Sequence, residues 1–119
     1  MEYAMEKHVL FLLKPGFYDE KGGPYFCPNC ATVEGFLSYV PEIEKRIDVR
    51  RVDFQRPRKE IVKLLGASNQ KCPVLVLGED AGLSPEARKS EETGKVFIVG
   101  GVEICDFLGR TYGAVRPHP

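Results

Sequence analysis

The sequence has no excess of either charge: 17 lysines and arginines stand against 17 aspartates and glutamates, so no large field of one sign covers the surface. That removes the broad attraction on which binding to nucleic acid or to an anionic membrane depends. Long apolar runs are lacking too. The longest, Val9 to Leu13, lies between His8 and Lys14 and is far too short to cross a bilayer or serve as a signal peptide, so a cytoplasmic location is expected. No internal repeat is visible, and the only histidines, His8 and His118, stand at no ligand-like spacing from a cysteine motif. Cysteine is limited to four residues, and because cytosolic thiols are kept reduced, they are not read as a disulfide framework.

What is there suffices for one core. Of 119 residues, 43% are hydrophobic, which supports one domain over 1–119 and leaves no room for a second of ordinary size. His8 to Leu13 reads as a strand buried on both faces. Residues 14–26, with Pro15, Gly16, Gly22, Gly23 and Pro24, read as a loop. Val33, Phe36, Leu37 and Val40 recur at helical spacing, and Pro28 suits a first helical turn. Ile47 to Phe54 alternates as a second strand with a slip or bulge. The stripe Ile61, Val62, Leu64 and Leu65 predicts a helix stopping at Gly66.

Pro73 to Leu77 and Lys95 to Val99 then read as adjacent strands, joined by a mobile connection over 79–94. Ile104, Phe107 and Leu108 mark a last helix ending near Gly113, before an unstructured tail at 114–119. The order strand, helix, strand, helix, strand, strand, helix is that of an α/β domain with a mixed sheet and flanking helices.

The chemistry centres on Cys27-Pro28-Asn29-Cys30. A Cys-x-x-Cys that follows a first strand and opens a helix is the spacing of a dithiol redox pair. Free N–H groups and the positive dipole end of a helix favour a thiolate, the form that attacks a disulfide. Cys27 is therefore the candidate attacking thiol, and Cys30, about one turn further on, the candidate resolving thiol.

With that motif and the run Gln70-Lys71-Cys72-Pro73-Val74-Leu75-Val76-Leu77, followed by Ile104-Cys105-Asp106-Phe107-Leu108 and Tyr112-Gly113, the chain resembles the thioredoxin-like superfamily over nearly its whole length. It looks most like glutaredoxins and the amino-terminal domain of glutathione transferases, and is also similar to an uncharacterised bacterial family with a thioredoxin-like fold. The resemblance implies a single thioredoxin-like domain with Pro73 as its cis-proline, and a loop at Cys72 and Pro73 that offers backbone hydrogen bonds to an extended thiol substrate. It also implies a binding role for Gly100 and Gly101, whose N–H groups open a helix toward a carboxylate. The substrate would be a protein or small-molecule thiol or disulfide, with glutathione as a possible co-substrate and no resident cofactor. Oligomeric state is left open.

Two alternatives stand beside this thiol-disulfide oxidoreductase reading. Cys27, Cys30 and Cys72 could together ligate zinc or an iron-sulfur cluster, or the domain could be an adaptor with idle cysteines. Cys105 sits in the apolar stripe of the last helix and reads as a core residue. Arg46, Arg50, Arg51, Arg56, Arg58 and Lys59 alternate with acids and read as a solvated, salt-bridged face. Phe17, Tyr18, Tyr25 and Phe26 read equally as a lid over Cys27 or as core.

Overall fold

Five apolar residues in a row can be buried only where both faces of a strand are covered, and in the computed structural model Val9–Leu13 forms such a strand, β1. The structure describes residues 7–78 and 84–119. Leu10, Phe11 and Leu12 have no exposed surface at all. A hairpin of β2 (Phe17–Asp19) and β3 (Gly22–Tyr25) follows, then α1 (Pro28–Tyr39), the short α2 (Pro41–Glu44), β4 (Asp48–Val52) and α3 (Lys59–Leu65). Strands β5 (Val74–Val76), β6 (Arg88–Lys89) and β7 (Val96–Val99) precede the closing helix α4 (Gly101–Tyr112). The result is one α/β domain whose five-stranded sheet runs β4-β1-β5-β7-β6.

β1 is parallel to β4 and antiparallel to β5, while β7 is antiparallel to both β5 and β6. Side chains alternate across the sheet. His8 meets the Phe107 ring of α4 edge-on at 5.5 Å, whereas Phe11 lies under Arg50, which is bonded to Glu60 of α3. One face of β1 therefore belongs to α4 and the other to α3. Ile104, Phe107 and Leu108 from α4, Val33, Phe36 and Leu37 from α1, and Ile61 and Leu65 from α3 complete the core.

Three expectations change. Residues 14–26 carry the β2–β3 hairpin, held by Gly16 N–H donating to the Tyr25 carbonyl at 2.7 Å and by Phe17 stacked on Phe54 at 4.3 Å. β4 pairs with β1 in unbroken register from Asp48 to Val52, without a bulge. It is an edge strand, so polar residues on both faces produce the irregular alternation: Arg50 pairs with Asp48 and Glu60, and Arg51 with Glu34.

Of the connection expected to be mobile, residues 79–83 lie outside the described residues. Its remainder contains β6 and clasps the end of α3. Ser90, 2% exposed, donates its hydroxyl to the Leu65 carbonyl at 2.7 Å, and Thr93 donates to that of Leu64 at 2.7 Å. These bonds satisfy carbonyls that a helix end leaves without partners.

His8 ties the start of β1 to the end of β5, its Nδ1 accepting the Gly78 N–H at 2.9 Å. Burial lowers the imidazole from its ordinary value of 6.5, so the fold favours the neutral ring. A group lowered in this way contributes fully above its unfolded value and loses its contribution as pH falls through the folded one. Thermal unfolding should therefore show level stability between neutrality and the ordinary thiol range near 9, above which the raised Cys30, Cys72 and Cys105 begin to cost, and a decline that begins below about pH 6.5. Glu34, held low by its hydrogen bond to Arg51, adds its loss only in the acidic carboxylate range. The variant His8→Gln should flatten the first of these declines and leave the second; equal slopes in both proteins would refute the assignment.

Candidate functional site

The end of β1, the start of α1 and the turn before β5 bring the thiols together. Pro28 takes the first helical position, where its missing N–H costs nothing, and Cys27 becomes the N-cap of a 12-residue helix. The Cys30 N–H donates to Cys27 Sγ at 3.2 Å, doing what an N-cap oxygen does elsewhere. The Cys27 thiol faces the carbonyl of Cys72 at 3.9 Å. Across that carbonyl lies Pro73, joined to Cys72 by a cis peptide bond, as expected from the sequence.

Cys27 is half-buried and Cys30 is 3% exposed, with its sulfur accepting the Leu13 N–H at 3.4 Å. All four cysteines are free thiols. Burial, and then the hydrogen bond with Cys27, push the Cys30 thiol far above its ordinary range, against a smaller opposite pull from the Leu13 N–H. The outer thiol thus has a backbone donor aimed at its sulfur, while the inner one, a turn away, holds its proton tightly.

Cys72 is half-buried beside this pair. Burial raises its thiol to about 11, against the pull of the Arg58 charge, while the Cys27 charge adds to the rise and Arg56 opposes it. Among the described residues no three of histidine, cysteine, aspartate and glutamate are gathered as a metal-binding group. Cys105 lies in the α1–α4 interface, 2% exposed, its sulfur 4.0 Å from the Thr32 carbonyl and its thiol raised to about 11 by burial. It is a core residue.

The basic cluster divides. Arg50 and Arg51 form the expected ion pairs, and Arg46 lies over the Tyr112 ring at 4.3 Å. Arg58, however, is only 7% exposed. Its guanidinium donates to the Phe54 carbonyl at 2.6 and 3.0 Å and to the Gln70 carbonyl at 2.7 Å, stapling the segment after β4 to the turn before Cys72. Sequence reasoning missed this residue. One signal was present: Arg58 and Lys59 stand at the start of a helix, where the dipole disfavours cations, so an arginine there has reason to turn inward.

The aromatic residues divide as well. Phe17 packs on Phe54, while Tyr18, Tyr25 and Phe26 are exposed. Gly100 and Gly101 open α4 with the Gly100 φ at 102°, and Gly101 is buried against the motif itself. A Cβ on Gly101 would lie 2.6 Å from the Asn29 carbonyl oxygen and 3.3 Å from the Thr32 side chain.

Residues 7–116 match the family described as Protein of unknown function (DUF3088). No curated protein and no solved structure matches the chain. Among the described residues, no helix is long and apolar enough to cross a membrane.

The Gly101 contact gives a direct test of how α4 backs the motif. Alanine there would gain up to about 1 kcal/mol of helix propensity, but forcing a methyl against backbone costs about 1–3 kcal/mol. Gly101→Ala should therefore lower the urea midpoint. An unchanged or higher midpoint would show that the two helices separate without penalty.

Proposed function

Because the chain belongs to the DUF3088 family of unknown function, whose description supplies no activity, we propose from the site's own geometry that it is a thiol-disulfide oxidoreductase with a thioredoxin-like arrangement. Cys27 attacks a substrate disulfide and Cys30 resolves the mixed disulfide by intramolecular exchange. The observation that carries this reading is the placing of Cys27 at the N-cap of α1, with the Cys30 N–H on its sulfur and the Cys72–Pro73 turn 3.9 Å away. The sheet order, with a parallel β1–β4 pair and antiparallel β5 and β7, supports the thioredoxin-like reading.

In the proposed reaction, the Cys27 thiolate attacks one sulfur of the substrate disulfide, and the other leaves as a thiolate and takes up a proton. Cys30 then gives up its proton and attacks Cys27 Sγ, releasing the second substrate thiol and closing the Cys27–Cys30 disulfide. Two electrons pass from protein to substrate, and two external thiols, or one dithiol, regenerate the pair and leave as a disulfide. The high proton affinity of Cys30, set first by burial and next by Cys27, suits this order, because the part owed to Cys27 is relieved once that sulfur is in the mixed disulfide. The substrate is a protein or small-molecule disulfide, with glutathione as a co-substrate within this reading. Cys72, Pro73, Gly100 and Gly101 are its proposed contacts, and the hairpin that leads into Cys27 carries the exposed Tyr18 and Tyr25, with the exposed Phe26 just after it.

Reduction of a small aromatic disulfide, driven by an external dithiol and followed by absorbance, tests the proposal. The unaltered chain should turn over, and Cys27→Ser should fall to the uncatalysed background while keeping the same thermal midpoint within a degree or two. A Cys27→Ser protein with undiminished turnover would sink the assignment.

A further inference from the structure

The Arg58 guanidinium is buried, yet among the described residues no carboxylate pairs with it. Three bonds to carbonyl oxygens engage three of its five N–H donors and leave its charge without a counter-ion. A buried charge in that condition is costly unless an opposite charge can form beside it. The ionisable group on which it acts is the Cys72 thiol, chiefly through its charge. Cys72 in turn offers its carbonyl to Cys27, 3.9 Å from the attacking sulfur. Cys30 lies deep against the Leu13 N–H.

We propose that Cys72 is a second resolving thiol, so that the Cys27 mixed disulfide closes onto Cys72 as well as onto Cys30, with Arg58 positioning and charging the Cys72 sulfur. The inference rests on the attacking role of Cys27 proposed above. In this branch, the Cys72 thiolate attacks Cys27 Sγ, the bond from Cys27 to the substrate sulfur breaks, and a Cys27–Cys72 bond forms. The released substrate thiolate takes up the proton that Cys72 gave up. The electron count equals that of the Cys30 branch, and no further oxidant is required. Cys72 competes because Arg58 opposes the effect of its burial, whereas the main influences on Cys30 all disfavour its thiolate except the single Leu13 N–H. The two closed forms interconvert by attack of the remaining free thiol on Cys27, so one oxidised state is held as two disulfide isomers.

The test uses the full chain with Cys30→Ser, reduced and then mixed with a small excess of 2-hydroxyethyl disulfide. Intact mass and peptide mapping read the products. Cys30→Ser should release both halves of the probe and yield a Cys27–Cys72 cross-linked peptide, while Cys30→Ser with Cys72→Ser should retain one half on Cys27. The unaltered chain treated with limiting probe should give both cross-links. A Cys30→Ser protein that retains the adduct as the double variant does overturns the second resolving role and leaves the attacking role standing. Absence of any adduct at Cys27 in the double variant overturns the attacking role itself. In the Cys30→Ser background, Arg58→Gln should slow closure about tenfold, the effect of one unit in the thiol's proton affinity, and Arg58→Lys, which keeps the charge but cannot bridge the Phe54 and Gln70 carbonyls, should restore only part of the rate. Equal rates in all three would remove Arg58 from the account.

Discussion

The Leu13 N–H, at the last position of β1, donates to the sulfur of Cys30, and through that bond the core sets the depth of the thiol pair. β1 is held on one edge by β4 and on the other by β5, so its end cannot shift without breaking ladders on both sides. Cys30 is fixed from below by this strand, and its own N–H reaches Cys27. The antiparallel partner β5 begins one residue after Pro73, so the same strand also places the turn that faces Cys27. The Cys-x-x-Cys motif and the turn, 42 positions apart between Cys30 and Cys72, are neighbours because both are attached to one buried ribbon.

Electrostatics then separate thiols that share one chemical type. Cys105 is raised by burial alone and has no donor or cation described beside it, which suits a side chain that only fills space. Cys30 is raised by burial and by Cys27, and Cys72 by burial against the opposite pull of Arg58 and Arg56. The difference lies in neighbours supplied by the chain elsewhere: Arg58 precedes α3 by one residue and reaches Cys72 only because Phe54 and Gln70 hold its guanidinium in place. A lysine, with one point charge, could not bridge both carbonyls in the same planar way.

Much of this was legible in the sequence where local patterns decide. The apolar run of β1, the stripe that makes α3 stop at Gly66, and the opening of α1 at Pro28 follow from periodicity and terminal residues. So did the thiol pair at a helix start and the core position of Cys105. The hairpin at 17–25 was hidden because glycine and proline breakers punctuate a short two-stranded ribbon as readily as a loop. The irregular pattern of β4 looked like a bulge because a single sequence does not reveal that the strand lies at an edge, where charged residues can stand on either face. Arg58 was grouped with surface cations because burial of a lone guanidinium depends on carbonyls at Phe54 and Gln70, and no local spacing encodes that meeting.

Charge at the rims of the sheet has a consequence for the molecule's behaviour toward its own copies. One outer strand, β4, carries Asp48, Arg50 and Arg51, and the other, β6, is only the pair Arg88 and Lys89. A strand approaching either rim must bury or displace charged side chains before it can form a ladder. The sheet is thus guarded against growing from molecule to molecule, and crowded solutions should favour dispersed domains over stacked ones even while the apolar Val96 and Val115 remain partly in water.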